Sequence, residues 1–177
     1  MIQLEELAVK YNTDKAKFCH NYMPIYDALF SPIKDDVKNV LEIGISECAS
    51  IRAWRDFFTN AQIHGTDIVD YPDISLREFG ERIHCHNCDQ SDRQAMIALM
   101  EKINVKFDIM IDDGDHDMNH ILISLDAIFP YLKEGGLYII EDMEFPRRFD
   151  EHLTKYNHWW AQADSEIMNS NLIIIKK

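Results

Sequence analysis

No apolar run in this chain of 177 residues approaches the ~20 residues that a membrane-spanning helix needs. The first ten residues, MIQLEELAVK, lack the basic and apolar stretches of a secretory leader, so a cytoplasmic protein with no membrane partner is expected. Basic residues are the minority, 18 Lys and Arg against 31 Asp and Glu, for a formal net charge of −13. That field repels phosphate backbones, and the scattered Lys and Arg form no stripe that would offset it, so no nucleic-acid partner is expected. Repeats, low-complexity segments and linkers are also absent. The chain therefore reads as one domain over 1–177, long enough to bury a core, with a helical cap at 1–35 and the main fold at 36–177.

Cysteine is scarce, at four residues. Cys85 and Cys88 form a Cys-x-x-Cys with His84 and His86 between or beside them, but a structural zinc centre needs a second ligand pair and none follows. Strand alternation also sends the two thiols to opposite faces. Together with Cys19 and Cys48 they are expected to be reduced and packed. Glycine is equally sparse, with six residues, and all but Gly80 fall within or against a predicted strand.

What is present is a regular alternation. Strands are predicted at Asn39–Ile45, Ile63–Val69, Arg82–Cys88, Phe107–Asp113 and Leu137–Asp142. Helical patterns separate them at Ser50–Phe58, Ile74–Gly80, Asp92–Ile103 and Asn119–Leu132. The KEGG run at 133–136 reads as a helix C-cap. The tail SEIMNSNLIIIKK reads as two β-runs around Asn169-Ser170-Asn171. The fold class that follows is α/β: a Rossmann-like doubly wound sheet, mostly parallel, with an antiparallel C-terminal hairpin and helices on both faces.

Ligands of such sheets bind beyond the carboxyl ends of the strands, and there every predicted strand delivers an acid. These are Glu42 on the first, Asp67 on the second, Asp89-Gln90 after the third, Asp112-Asp113 on the fourth and Glu141-Asp142 on the fifth. A rim so negative calls for a cation or a donor-rich ligand. An acid after the second strand suits the paired hydroxyls of a ribose. A dinucleotide is disfavoured: G-x-G-x-x-G is missing after Gly44, and Glu42 and Glu47 oppose a pyrophosphate. A cationic sulfonium cofactor suits an acidic loop.

These stretches carry a resemblance. NTDKAKFCHNYMPIYDALF (12–30), VLEIGISECASIRAWRDFF (40–58), CDQSDR (88–93), IDDGDHDMNH (111–120) and the 128–144 region ending GGLYIIEDME are similar, in order, to class I S-adenosylmethionine-dependent methyltransferases. More narrowly, they resemble the metal-dependent sugar O-methyltransferases of the macrocin and mycinamicin group. The resemblance implies that Glu42, Gly44 and Ser46 line the methionine end of the cofactor, Asp67 takes the ribose, and Asp89 and Gln90 flank the adenine. It also implies that Thr13, Lys15, His20 and Tyr22 close over the cofactor. The chain departs from the group at Cys48, where glycine is usual, and at Ala49. It is short for the group, so substrate recognition is expected to involve a second subunit, as a homo-oligomer, most simply a dimer.

With the fourth and fifth strands adjacent, Asp113, Glu141 and Asp142 can meet, and three hard oxygens suit Mg²⁺ better than zinc. Neighbouring strand residues face opposite ways, so Glu141 and Asp142 share an ion only if the strand has ended there. Asp112 then turns to the cofactor side or to the amides of its own loop. An imidazole is able to take a proton near neutral pH, and the resemblance assigns His116 the role of general base toward a sugar hydroxyl. His120, one turn on, is expected to be exposed. Trp159-Trp160 reads either as core packing against the final hairpin or as a wall for a sugar. The expected function is methyl transfer from S-adenosylmethionine, with Mg²⁺, to a hydroxyl of a carbohydrate or glycosylated small molecule. The alternatives are a catechol-like diol acceptor, or a cofactor-binding protein that has lost catalysis.

Overall fold

A computed structural model describes residues 3–70, 81–166 and 170–177. Two helices, α1 (Gln3–Tyr11) and α2 (Met23–Phe30), precede β1 (Asn39–Ile43), α3 (Ala49–Phe57), β2 (Gln62–Asp67) and β3 (Ile83–Asn87). Then come α4 (Arg93–Ile103), β4 (Phe107–Asp112), α5 (Met118–Ile128), β5 (Leu132–Ile140), β6 (Asn157–Gln162) and β7 (Asn171–Lys176). The helix expected at Ile74–Gly80 and the hairpin tip at Asn169 lie outside the described residues.

The strands form one sheet in the order β3-β2-β1-β4-β5-β7-β6. The first five are parallel, and β7 runs antiparallel to both β5 and β6. Apolar alternation builds a core on each face. Val40, Ile109, Ile111 and Ile139 meet α1–α3, through Leu4, Tyr26 and Trp54 among others. Leu41, Met110, Tyr138 and Ile140 meet α4 and α5, through Met96, Met100, Ile121 and Leu125. Cys85 packs on the first core and Cys88 in the second, the opposite facings that strand alternation demanded. Asp92 caps α4 by accepting the amides of Gln94 and Ala95 at 2.9 and 3.0 Å, and Asp117 caps α5 in the same way. No helix among the described residues is long and apolar enough to cross a membrane.

Three sequence expectations change at the far edge. Helix α5 stops at Ile128 and passes through a 3-10 turn at Phe129–Tyr131, because Pro130 has no N–H to continue the ladder. The KEGG run is not a helix cap. It belongs to β5 as an irregularity, with Phe107 opposite Leu132 but Ile109 opposite Leu137, stitched down by Gly135 and Lys177 (N···O 2.8 Å). The hairpin exists, and the arm that pairs with β7 is Asn157–Gln162, upstream of the expected run. Its two adjacent tryptophans hid an edge strand, since each points to a different face.

Candidate active site

The strand order reverses direction between β1 and β4, and two cavities open beyond that point. One, of about 200 Å³, is lined by Gly44, Asp67, Ile68, Cys88, Asp89 and Gln90 among others. The second, of about 190 Å³, is lined by Asn12, Thr13, Ser46, Glu47, Ser50 and Asp113 among others, and Gly44 belongs to both. Gly44 has φ +78°, and a Cβ there would overlap the carbonyl of Asp113. Glycine thus lets the β1 and β4 loops touch and makes one trough of the two cavities.

Asp67 shapes that trough from the next strand. Its Oδ2 accepts the amides of Ile45 and Ser46, each at 3.0 Å, and its Oδ1 accepts that of Val69 at 3.0 Å. The loop turns through left-handed residues at Ser46 (φ 41°) and Cys48 (φ 63°). Cys48 therefore stands in a conformation that glycine adopts without strain. Contact with the Cys85 thiol and burial push the Cys48 pKa up, which keeps the thiol protonated.

Asp89 is exposed at the rim and accepts from the Ser91 amide and hydroxyl at 2.8 and 2.7 Å. Gln90 is buried. Its Nε2 donates to Asp112 at 2.8 Å and its Oε1 accepts the Asp115 amide at 3.1 Å. Asp112 itself lines neither cavity. It accepts from Ser124 Oγ at 2.7 Å and Tyr138 Oη at 2.9 Å, beneath α5. Adjacent strand residues face opposite ways, so Asp113 gets the trough and Asp112 the scaffold.

The acids at the β4 and β5 tips are gathered differently from the expectation. The ligand oxygens of Glu42, Asp113 and Glu141 lie within 4.8 Å of one another, and those of Asp113 and Asp142 lie equally close to a nitrogen of His116. Asp113 belongs to both sets; Glu141 and Asp142 share neither. Strand β5 ends at Ile140, and Asp142 turns outward through a left-handed φ of 57°. The inner set surrounds Lys15, which is buried at 1% exposure. Its Nζ touches Asp113 and lies 2.7 Å from Glu141 and 3.3 Å from Glu42. Lys15 therefore sits among the acids rather than over the cofactor trough, whereas Thr13 does line it. His20 and Tyr22 hold Asp142, at 3.3 and 2.6 Å.

Burial outweighs the opposing pull of Lys15 and pushes the Glu141 pKa up to about 7, and it raises Glu42 and Asp113 as well. Glu42 Oε2 accepts from Ser50 at 2.8 Å and from Trp54 Nε1 at 3.0 Å, while the buried Oε1 accepts no hydrogen bond among the described residues. The cluster holds more carboxylate than one ammonium neutralises. Sequence reasoning missed Ser50, Trp54 and Tyr26 as supports of this site. Tyr26 donates its hydroxyl to Glu141 across 115 residues of sequence, a separation at which no local signal exists.

His116 follows on the β4–α5 loop with φ 59°. Its Nε2 lies 3.7 Å from Asp142 Oδ2 and 4.0 Å from Asp113 Oδ1, and its side chain is 36% exposed. It faces the mouth of the acid cluster. His120 pairs with Asp115 at the loop surface. Trp159 and Trp160 are 39% and 42% exposed on the edge strand, which overturns the core-packing reading. Trp160 carries the Arg147 guanidinium 5.3 Å from its ring centre.

A switch-point trough floored by glycine, an acid on β2 organising its loop and acids at the β4 and β5 tips define a class I methyltransferase domain. No protein-family model matches the chain. It is 37% identical over 147 residues to mycinamicin VI 2''-O-methyltransferase of Micromonospora griseorubida, across 79% of this chain and 36% of that protein. It is 36% identical over 147 residues to demethylmacrocin O-methyltransferase of Streptomyces fradiae, with the same two shares. The solved MycE methyltransferase of the mycinamycin biosynthetic pathway, in complex with Mg, SAH and mycinamycin VI, aligns with a TM-score of 0.80 at 28% identity. That alignment covers 99% of this chain and 54% of MycE. The chain has the class I methyltransferase fold and resembles the macrocin- and mycinamicin-type sugar O-methyltransferases. It spans 36% of the length of the curated relatives it matches.

Proposed function

We propose that this chain carries the methyl-transfer site of an S-adenosylmethionine- and Mg²⁺-dependent O-methyltransferase acting on a hydroxyl of a glycosylated small molecule. The observation that carries the reading is the Asp113–His116–Asp142 set at the mouth of the trough, with Asp113 lining the trough itself. The donors fit a hard divalent cation. The acid donors are carboxylate oxygens, and the three carboxylates gathered around Lys15 outnumber its single ammonium. Asp113 and Asp142 would hold Mg²⁺ at the mouth, and Glu141, held by Lys15 in the structure, would join them through Asp113, the acid common to both sets; the ion when bound would polarise an acceptor hydroxyl and make it more acidic. S-adenosylmethionine, when bound, supplies the electrophilic methyl group.

The chain's own residues do the rest. Gly44, Ser46 and Thr13 shape the methionine end of the trough, while Glu42, expected there, lines neither cavity and lies buried in the acid cluster; Asp67, Asp89 and Gln90 shape the nucleoside end. Tyr22 and His20 hold Asp142 at the mouth. His116 Nε2, at the mouth beside Asp113 and Asp142, would take the proton of the acceptor hydroxyl as that oxygen receives the methyl group. The net charge of −13 favours a neutral or cationic small molecule over nucleic acid, and we read the working unit as a homodimer.

The test uses purified chain, methyl-labelled S-adenosylmethionine, Mg²⁺ and a panel of deoxysugar glycosides and catechols. Label is expected on glycosides. EDTA and Asp113→Ala should abolish transfer, and His116→Ala should reduce it by about 10²-fold or more. Transfer retained in EDTA removes the metal from the reaction, and transfer to catechols alone moves the acceptor class. Cofactor binding without transfer to any acceptor identifies a binding protein.

A further inference from the structure

The segment from Thr13 to Tyr22 touches every acid of both ligand sets. Lys15 Nζ contacts Glu42, Asp113 and Glu141, while His20 and Tyr22 contact Asp142. The same segment begins in the wall of the second cavity, through Thr13 and Asp14. That cavity is lined by Asp14, Glu47 and Asp113 and, among the described residues, by no basic side chain. A ligand with a carboxylate at that end would meet like charge and no counter-ion. Lys15 directly follows the wall residue Asp14 in the chain, and its ammonium is bound to the acid cluster instead. Three carboxylates with one ammonium leave a formal charge of −2, and Asp113 is common to the lysine-held set and the open one. A divalent cation entering through the open set meets Lys15 directly at Asp113.

We propose that Lys15 is an exchangeable internal counter-cation. A divalent ion displaces its Nζ from Asp113 and Glu141, and the freed ammonium then pairs with the amino-acid carboxylate of the cofactor in the neighbouring cavity. Metal loading and cofactor binding are thereby coupled through a single side chain, and by linkage each strengthens the other. The inference rests on the cofactor and metal reading above and assigns Lys15 as a positioning residue.

The experiment is calorimetry with three probes on the full chain: Mg²⁺ alone, S-adenosylhomocysteine, and 5'-methylthioadenosine, which keeps the nucleoside and sulfur but lacks the carboxylate. Saturating Mg²⁺ should tighten S-adenosylhomocysteine binding by about ten-fold and leave methylthioadenosine within about two-fold of its metal-free affinity. In Lys15→Met the coupling should vanish while Mg²⁺ itself binds more tightly. Lys15→Arg, which keeps a cation, should restore part of the coupling. Amide hydrogen exchange of residues 12–22 in the unaltered chain should change on Mg²⁺ addition, a readout that needs no variant to fold. Equal coupling for both nucleoside probes, or unchanged exchange in that segment despite Mg²⁺ binding, overturns the exchange while leaving the function standing. Failure of Mg²⁺ to bind at all overturns both.

Discussion

His64 lies on β2 at 7% exposure, stacked between His84 and His86, with its Nδ1 3.3 Å from His86 Nε2 and the Phe107 ring edge-on at 5.5 Å. Burial, aided by the two neighbouring imidazoles, depresses its pKa from 6.5 to about 3, and His86 falls to about 4 for the same leading reason. The unfolded chain protonates His64 as pH falls through 6.5, whereas the folded chain resists until about 3. Stability from this group is therefore complete above pH 6.5, erodes between 6.5 and 3, and changes no further below. Between 6.5 and pH 5 lie 1.5 pH units at about 1.36 kcal/mol each, so acidification to pH 5 costs roughly 2 kcal/mol through His64 alone. His64→Phe keeps a flat ring against Phe107 but cannot titrate. Urea unfolding of both proteins from pH 7.5 to 5 isolates the contribution, because the other titrating groups are common to both. The wild-type curve should fall more steeply, and the gap between the two should change by about 2 kcal/mol over that range. Parallel curves would refute the reasoning.

Gly44→Ala forces a methyl group onto the Asp113 carbonyl at a positive φ, and S-adenosylhomocysteine binding measured by calorimetry should be lost; unchanged affinity would remove Gly44 from the trough. Tyr22→Phe removes the 2.6 Å bond to Asp142 and should weaken Mg²⁺ binding by about ten-fold or more; an unaltered Mg²⁺ titration would take Asp142 out of the metal set. Acrylamide should quench Trp159 and Trp160 and leave a shielded emission from Trp54, which is 0% exposed. Uniform shielding of all three indoles would mean that the edge strand is covered in solution.

The sequence by itself determined the sheet and its functional edge. Alternating apolar runs of strand length, separated by helix-period runs, permit little besides a doubly wound sheet. An acid at each strand end then falls on the binding rim whatever the loops do. Asp67 and Asp113 were legible for that reason, because strand polarity alone puts them there, whereas His116, in the loop beyond β4, was singled out by the resemblance of its motif. Tertiary structure decided which acid meets which partner. Asp112 and Asp113 are chemically alike, and only the two cores on either side of β4 tell one to hold Ser124 and Tyr138 and the other to face the trough. Glu141 and Asp142 part company because β5 ends at Ile140, a boundary set by its pairing with β4 and β7 rather than by local propensity. Lys15 was expected over the cofactor, and its burial among acids was not legible in the sequence, since burying its charge requires three carboxylates far apart along the chain, which meet only once the sheet has brought the strand tips together.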